Sequence, residues 1–500
     1  MARRRNSALL LPLAALLAAC GRPALTDADI ARAIAAAPAD GGVVRLRAGT
    51  FEIGHPVVIP ASKRNLRIIG AGAVLKRAAA VAEVLDIASE GTTLEDLVID
   101  GAQTSTTKLV YRDRDPMDPL LANGSSIRIE PGAKHITLRG LEIRRTQGYA
   151  VLIDARAADV EDVTIDSCTI RDSVEYTDVS TATEKSDARE TGYGSWGGGV
   201  HFQAGTTAHV KALRIMNSHF ENIYGHAIWG HSNFVENLSE DVEVAGNTFR
   251  DIGLDAVQFG CVRDGLVERN HIRRIGYVAG APKYRWADGQ NYCGVGIDTA
   301  GWSSHCKYRG NTILNVNGPC IDLDGFSDGE VSNNTCEVSV KDDPLYVEDR
   351  VAEFGPKGQN HSWSKGINAS NTWSPKGAER VLIQANSIRN MGVSAIVLNN
   401  AREFTVEGNT IYHPSSAKGV PILLMSATMP WGAGVNLHNS ITRNRIEYGV
   451  DGRAYNVAVL EMPSVSGPNW VWGNTVVGAN NGEFLALNPQ STSSRSPQNR

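Results

Sequence analysis

Apolar and polar residues alternate along much of this chain in short runs such as Gly199-Val200-His201-Phe202-Gln203. Between the runs a phrase recurs: an Asn, one more residue, then an apolar one. It reads Asn247-Thr248-Phe249, Asn270-His271-Ile272, Asn311-Thr312-Ile313, Asn386-Ser387-Ile388, Asn409-Thr410-Ile411, Asn444-Arg445-Ile446 and Asn474-Thr475-Val476. Several phrases return after about 23 residues, Asn334 filling the place one period beyond Asn311. Alternation has the period of a strand. The runs are too short and too rich in β-branched residues, and too often cut by Gly and Asn, to be helix pairs. A fixed period of this size predicts a solenoid, each repeat burying its apolar face on the next. An inward Asn amide can bond the backbone of its own tight turn and the Asn stacked above it. The predicted fold is therefore all-β, a right-handed parallel β-helix.

The first twenty residues stand apart. Arg3-Arg4-Arg5 precede an apolar core from Leu9 to Leu17, too short to be a good membrane span. Leu17-Ala18-Ala19-Cys20 resembles a bacterial lipobox, with Cys20 as the lipidated first residue of an exported, membrane-anchored chain in the outer membrane or periplasm. Residues 21–488 read as one solenoid domain, which grows by stacking and escapes the usual limit on core size. Residues 489–500, rich in Ser, Pro and Gln, read as a disordered tail. Thr26-Asp27 followed by Ala28 to Ala37 predicts a short helix that caps the open end of the first coil. With a formal net charge of −5 and no basic stripe, nucleic acid is not an expected partner. Six cysteines remain besides Cys20. Cys293 and Cys320 precede consecutive strands and could be neighbours, while Cys336 falls where Ile313 sits one turn earlier and reads as a buried apolar thiol.

Three long insertions break the rhythm, from about Val174 to Gly198, Tyr277 to Tyr292 and Ser339 to Arg380. They carry aromatic residues, among them Trp196, Tyr284 and Trp286, whose faces suit stacking on sugar rings. Packing the loops onto the solenoid is the plainer role for any single ring.

Registering the strands by their inward apolar pairs places outward residues in columns. The inward pairs taken are Val151 and Ile153, Val200 and Phe202, Ile228 and Gly230, Val257 and Phe259, Val295 and Ile297, Ile321 and Leu323, Ile396 and Leu398. The residue after each pair gives one column: Asp154, Gln203, His231, Gly260, Asp298, Asp324 and Asn399. The residue within each pair gives the other: Leu152, His201, Trp229, Gln258, Gly296, Asp322 and Val397. His201, Gln203, Trp229, His231, Gln258, Asp298, Asp322 and Asp324 then share a polar patch that the insertions could wall. Exposed strand faces are commonly polar, but Asp is depleted in strands. Three Asp on two adjacent rungs repel unless a cation, a shared proton or a function offsets it. Asp298, Asp322, Asp324 and His231 are thus the catalytic candidates. His201, Gln203, Trp229, Gln258, Trp196, Trp286 and Tyr284 are the substrate-binding ones.

The helix, the opening Gly41-Gly42-Val43-Val44-Arg45-Leu46 and Gly49-Thr50-Phe51, and the Asn phrases resemble the pectate-lyase-like β-helix superfamily over residues 26 to 488. That resemblance implies a carbohydrate polymer or oligosaccharide as partner, but the fold hosts hydrolases, lyases, epimerases and binding proteins. The Asp cluster is similar to that of the polygalacturonase type of glycosidase, which implies one Asp as acid and another as base or nucleophile. The Gly-His-Gly and Arg-x-Lys that accompany it there are missing, and the nearest match, Gly225-His226-Ala227, lies upstream. Glycoside hydrolysis is the favoured expectation. The alternatives are β-elimination on a uronic-acid polymer, with the Asp trio on Ca²⁺ and His201, His231, Lys283 or Arg285 as base, epimerisation, and a non-catalytic glycan-binding lipoprotein. No metal is expected for hydrolysis.

Overall fold

A computed structural model describes residues 24–78, 81, 83–102, 125–146, 148–173, 198–223, 225–232, 238–276, 294–316, 318–339, 364–370, 378–413, 419–429, 432–449, 457–464, 467–478, 485–486 and 494–495. Within them the chain winds repeatedly through three parallel sheets. The first has 15 strands, from Leu25–Thr26 to Thr475–Val477, and the second 14, from Val57–Ile59 to Leu485–Ala486. The third runs from Asp40–Arg45 to Ser494–Arg495. One of its rungs, Ser239–Ala245, pairs with two shorter strands, Val262–Arg263 and Leu266–Glu268. Each turn of the coil visits the third, the first and then the second sheet. Of the pairings described, only Thr428–Met429 with Gly432–Ala433 is antiparallel. This is a parallel β-helix, and parallel crossovers are right-handed in nearly all proteins.

The N-terminal helix forms at Asp27–Ala36, its first turn fixed by Asp29, whose carboxylate accepts the Thr26 backbone N–H at 2.9 Å. Ile30 and Ile34 are its buried residues, on the face turned to the first coil. Behind it one apolar core fills the coil from Val44 to Val471.

The recurring Asn residues do occupy equivalent corners, all buried. Asn311 shows the bonding. Its Nδ2 donates to Val267 O (2.9 Å) and to Asn334 Oδ1 (2.9 Å), and its Oδ1 accepts from Asn270 N and Nδ2 (3.0 Å each). The same pattern links Asn247, Asn270, Asn311, Asn334, Asn386, Asn409, Asn444 and Asn474. The expected bonds to the stacked Asn are present, and the backbone bonds run mostly to the neighbouring coil rather than to the Asn's own turn. A left-handed residue precedes each of several of these Asn, including Gly246, Arg269, Gly310, Ala385 and Arg443, with φ between 53 and 66°. That residue makes the sharp corner which turns the next side chain inward.

The third insertion is shorter than the sequence suggested, because Lys365–Ser370 within it is a full rung of the second sheet. Ile367 and Ala369 continue the inward pair Ile321 and Leu323. The small Ala369 and the polar neighbours Asn368 and Ser370 hid this alternation in the sequence. Ser494–Arg495, in the stretch read as a disordered tail, pairs with Trp470–Trp472.

Candidate active site

The second sheet carries the site. Its rungs place Leu152, His201, Trp229 and Gln258 in one outward column. The next rung departs from the sequence register. Gln258 pairs with Asp298, Asp298 with Asp322, and Asp322 with Asn368. The inward pair here is Ile297 and Thr299, where the sequence pattern gave Val295 and Ile297. Thr299 is polar, so alternation alone assigns it outward. Inside the core its Oγ1 lies 2.8 Å from the Tyr308 hydroxyl, and the two satisfy each other. A two-residue shift keeps Asp298 on the outward face but moves it one column, directly beside Asp322.

The other column holds Asp154, Gln203, His231 and Asp324, with Ser370 opposite Asp324. His231 shares the face with the Asp cluster but stands three rungs from Asp324, about 14 Å. Gly260 and Ala300 follow the intervening strands, so this column is bare of long side chains between them.

Both carboxyls of the Asp298–Asp322 pair are tied to neutral donors. Gln258 Nε2 donates to Asp298 Oδ2 at 2.6 Å. Asp322 Oδ1 accepts from its neighbour Leu323 N and from Asn368 Nδ2, each at 2.9 Å. Burial, with Asp255 and Asp322 as like charges, pushes the Asp298 carboxyl well above the ordinary range despite the bond from Gln258. Burial also raises Asp322, to about 6, against the lowering pull of Asn368, Lys365 and the Leu323 N–H. Asp154, farther along the same face, shows the contrast. Burial would raise it too, but Arg156 and Arg128 bond to it and hold its pKa below the ordinary value.

Two residues escaped the sequence reading. Asp255 is buried at the entry to the Val257–Phe259 strand, where Oδ1 accepts the Val295 N–H at 2.8 Å and Oδ2 lies 3.1 Å from His226 Nδ1. Extending the register two residues upstream of each inward pair would have aligned it with His226. Lys365, whose Nζ donates to Asn368 Oδ1 at 3.2 Å, was hidden inside the third insertion.

His201 and Gln203 point out of the coil but are fully buried. The His201 ring stacks on Tyr149 (4.6 Å, 16°) and lies 4.6 Å from Trp229, which also meets His226 and His231. Burial first, then the neighbouring His231, brings the His201 pKa down to about 3, so it is neutral at ordinary pH. These residues form a buried floor to the patch that the sequence placed here. His231 is partly exposed, and burial lowers its pKa to about 4. Its tautomer follows from Gln203: Nε2 of that amide donates to Ala204 O (3.1 Å), so Oε1 faces His231 Nδ1 at 3.1 Å. Nδ1 therefore carries the proton and Nε2 the lone pair.

Trp196, Tyr284, Trp286 and Cys20 lie outside the described residues, as does Cys293. Among the described residues no three of His, Cys, Asp or Glu converge to hold a metal ion.

Solved structures of similar shape fit this architecture. PfbA, a surface adhesin of Streptococcus pneumoniae, aligns over 82% of this chain and 93% of its own, at 12% identity and a TM-score of 0.54. That score and the parallel sheets decide the fold. The chain is a right-handed parallel β-helix. A GH136 lacto-N-biosidase from Eubacterium ramulus (12% identity, 76% of this chain and 62% of that one, TM-score 0.46) is more distant. So is a PL6 alginate lyase complexed with a trisaccharide (12%, 93% and 85%, 0.43). Likeness at that level carries no argument about this β-helix's chemistry. No protein-family model and no curated protein sequence matches the chain.

Proposed function

We propose that this β-helix is a carbohydrate-active enzyme that hydrolyses glycosidic bonds, with Asp298 as general acid and Asp322 as base or nucleophile. The observation that carries this reading is the side-by-side pairing of Asp298 with Asp322, both bonded to neutral amides. Glycoside hydrolysis needs one carboxyl protonated and a second ionised at the same pH. Asp298, the more deeply buried, has its carboxyl pushed well above the ordinary range, which favours it as the proton holder of the pair. Asp322 is partly exposed and ionised above about pH 6. Asp324 and Asp255 add negative charge that would favour an oxocarbenium-like transition state. Trp229 and Gln258 on the neighbouring rungs would contact the sugar.

A second reading has its own observation. His231 is neutral, with a lone pair on Nε2, which suits a base for β-elimination or epimerisation at a uronic acid. A panel of polysaccharides and oligosaccharides distinguishes the readings. New reducing ends without ultraviolet absorbance indicate hydrolysis. Reducing ends with the absorbance of an unsaturated sugar indicate elimination. Asp298→Asn and Asp322→Asn should each lower kcat by a factor on the order of 10² or more. Binding without any turnover across the panel would support a non-catalytic glycan-binding protein. The same reading has the chain exported and lipid-anchored at Cys20. Cys20→Ala should then abolish labelling by radioactive fatty acid, and unchanged labelling would remove the anchor.

A further inference from the structure

Cys320 breaks a rule that its neighbours keep. In the second-sheet strands on either side of Cys320, the residue just before the first inward apolar residue is small: Ala227, Ala256, Gly296, Gly366 and Ala395. The reason is steric. A Cβ built at Gly296 would lie 2.9 Å from Ile313 Cγ2, and one at Gly366 would lie 2.6 Å from Ile388 Cγ2. This corner therefore aims its side chain across the interior, at the residue of the first-sheet strand that next follows it in the chain. For Cys320 the corresponding residue is Cys336, which pairs between Ile313 and Ile388. Extra bulk at 320 meets reduced bulk at 336, so the two exceptions compensate each other.

The same geometry suits a bond. In a disulfide, the Cβ of one cysteine lies about 3 Å from the sulfur of the other. Cys320 and Cys336 are free thiols in this structure, and their side chains are in contact with each other. Both thiols are buried, and Cys320 is raised well above an ordinary thiol by burial and by its contact with Cys336.

We propose that Cys320 and Cys336 are a matched pair that closes to a disulfide when the chain folds in an oxidising compartment. The bond would staple the strand that bears Asp322 and Asp324 to the first sheet. The oxidant is a disulfide, small-molecule or carried by a thiol–disulfide oxidoreductase. One cysteine thiolate attacks it and releases one thiol. The second cysteine thiolate then attacks the mixed disulfide and releases the other. Two protein thiols lose two electrons and two protons, and the oxidant's disulfide gains them as two thiols. Because the closed coil buries both sulfurs and disfavours the thiolate, exchange must occur before the coil closes.

The full chain should be refolded from urea with a reduced and oxidised glutathione mixture, then unfolded in acid, alkylated, digested and analysed by mass spectrometry. The expected product is a peptide pair joined through Cys320 and Cys336 that separates on reduction. The melting temperature should fall by roughly 2–4 °C when dithiothreitol is present throughout refolding. Cys320→Ala combined with Cys336→Ile restores the pattern of the flanking coils and should show no such dependence on reductant. The proposal is overturned if Cys320 and Cys336 are both alkylated after oxidative refolding, if either joins a different cysteine, or if the native chain melts alike with and without reductant.

Discussion

Replacing Asp322 by Asn should stabilise this β-helix at neutral pH and leave it little changed near pH 4. Asp322 is ionised above about pH 6 in the folded state, against an ordinary value of 3.8. Between those values the folded chain holds a proton that the unfolded chain has lost. Stability therefore falls as pH rises through this window, and the penalty is complete above it. A displacement of that size corresponds to on the order of 2–3 kcal/mol. Asn would keep the acceptor for the Leu323 N–H and Asn368 Nδ2, and its amide would present a donor where the second carboxylate oxygen was. Unfolding entropy of about 2 cal/mol/K per residue turns this into a rise of roughly 2–3 °C for a chain of this length. Thermal melts at pH 7.5 and pH 4 test it without any knowledge of the substrate. Equal shifts at the two pH values, or a loss of stability at pH 7.5, would show that Asp322 is not held in a repulsive, desolvated cluster. The reasoning for the acid–base pair would then fall with it.

Other outcomes follow from the coil. Asn311→Leu should cost about 1–3 kcal/mol, because the buried Asn270 N–H and Val267 carbonyl lose a partner; denaturant unfolding measures the loss, and faster amide exchange at Asn270 locates it. Ala385 holds a φ of 53°, so Ala385→Gly should stabilise by about 0.5–1 kcal/mol, while Gly310→Ala at φ 64° should destabilise by a similar amount or more, both read from denaturant midpoints. Gly230→Ala should cost about 2 kcal/mol or more, since its Cβ would fall 2.2 Å from the Phe202 ring in the packed core; a neutral result in chemical denaturation would mean the ring moves freely. His231→Gln should leave a hydrolytic kcat nearly intact but abolish an eliminative one, which divides the two catalytic readings by rate alone.

The sequence alone determined the architecture. Strand alternation, the Asn corner and the repeat are local signals: each coil restates the same demand for two-residue periodicity and a left-handed turn, so errors at one coil do not spread. The outward face of Asp298, Asp322 and Asp324 was legible for the same reason, since a one-residue slip would bury three carboxylates. Tertiary structure decided which residue stands beside which. Thr299 faces inward only because Tyr308, on another strand, satisfies its hydroxyl, and that shifted Asp298 into line with Asp322. Asp255 and Lys365 join the cluster from a strand entry and from a rung hidden in an insertion. The covering of His201 and the proton affinities of the Asp pair also arise only on stacking, because desolvation and charge repulsion depend on neighbours that are distant in sequence and adjacent in the coil.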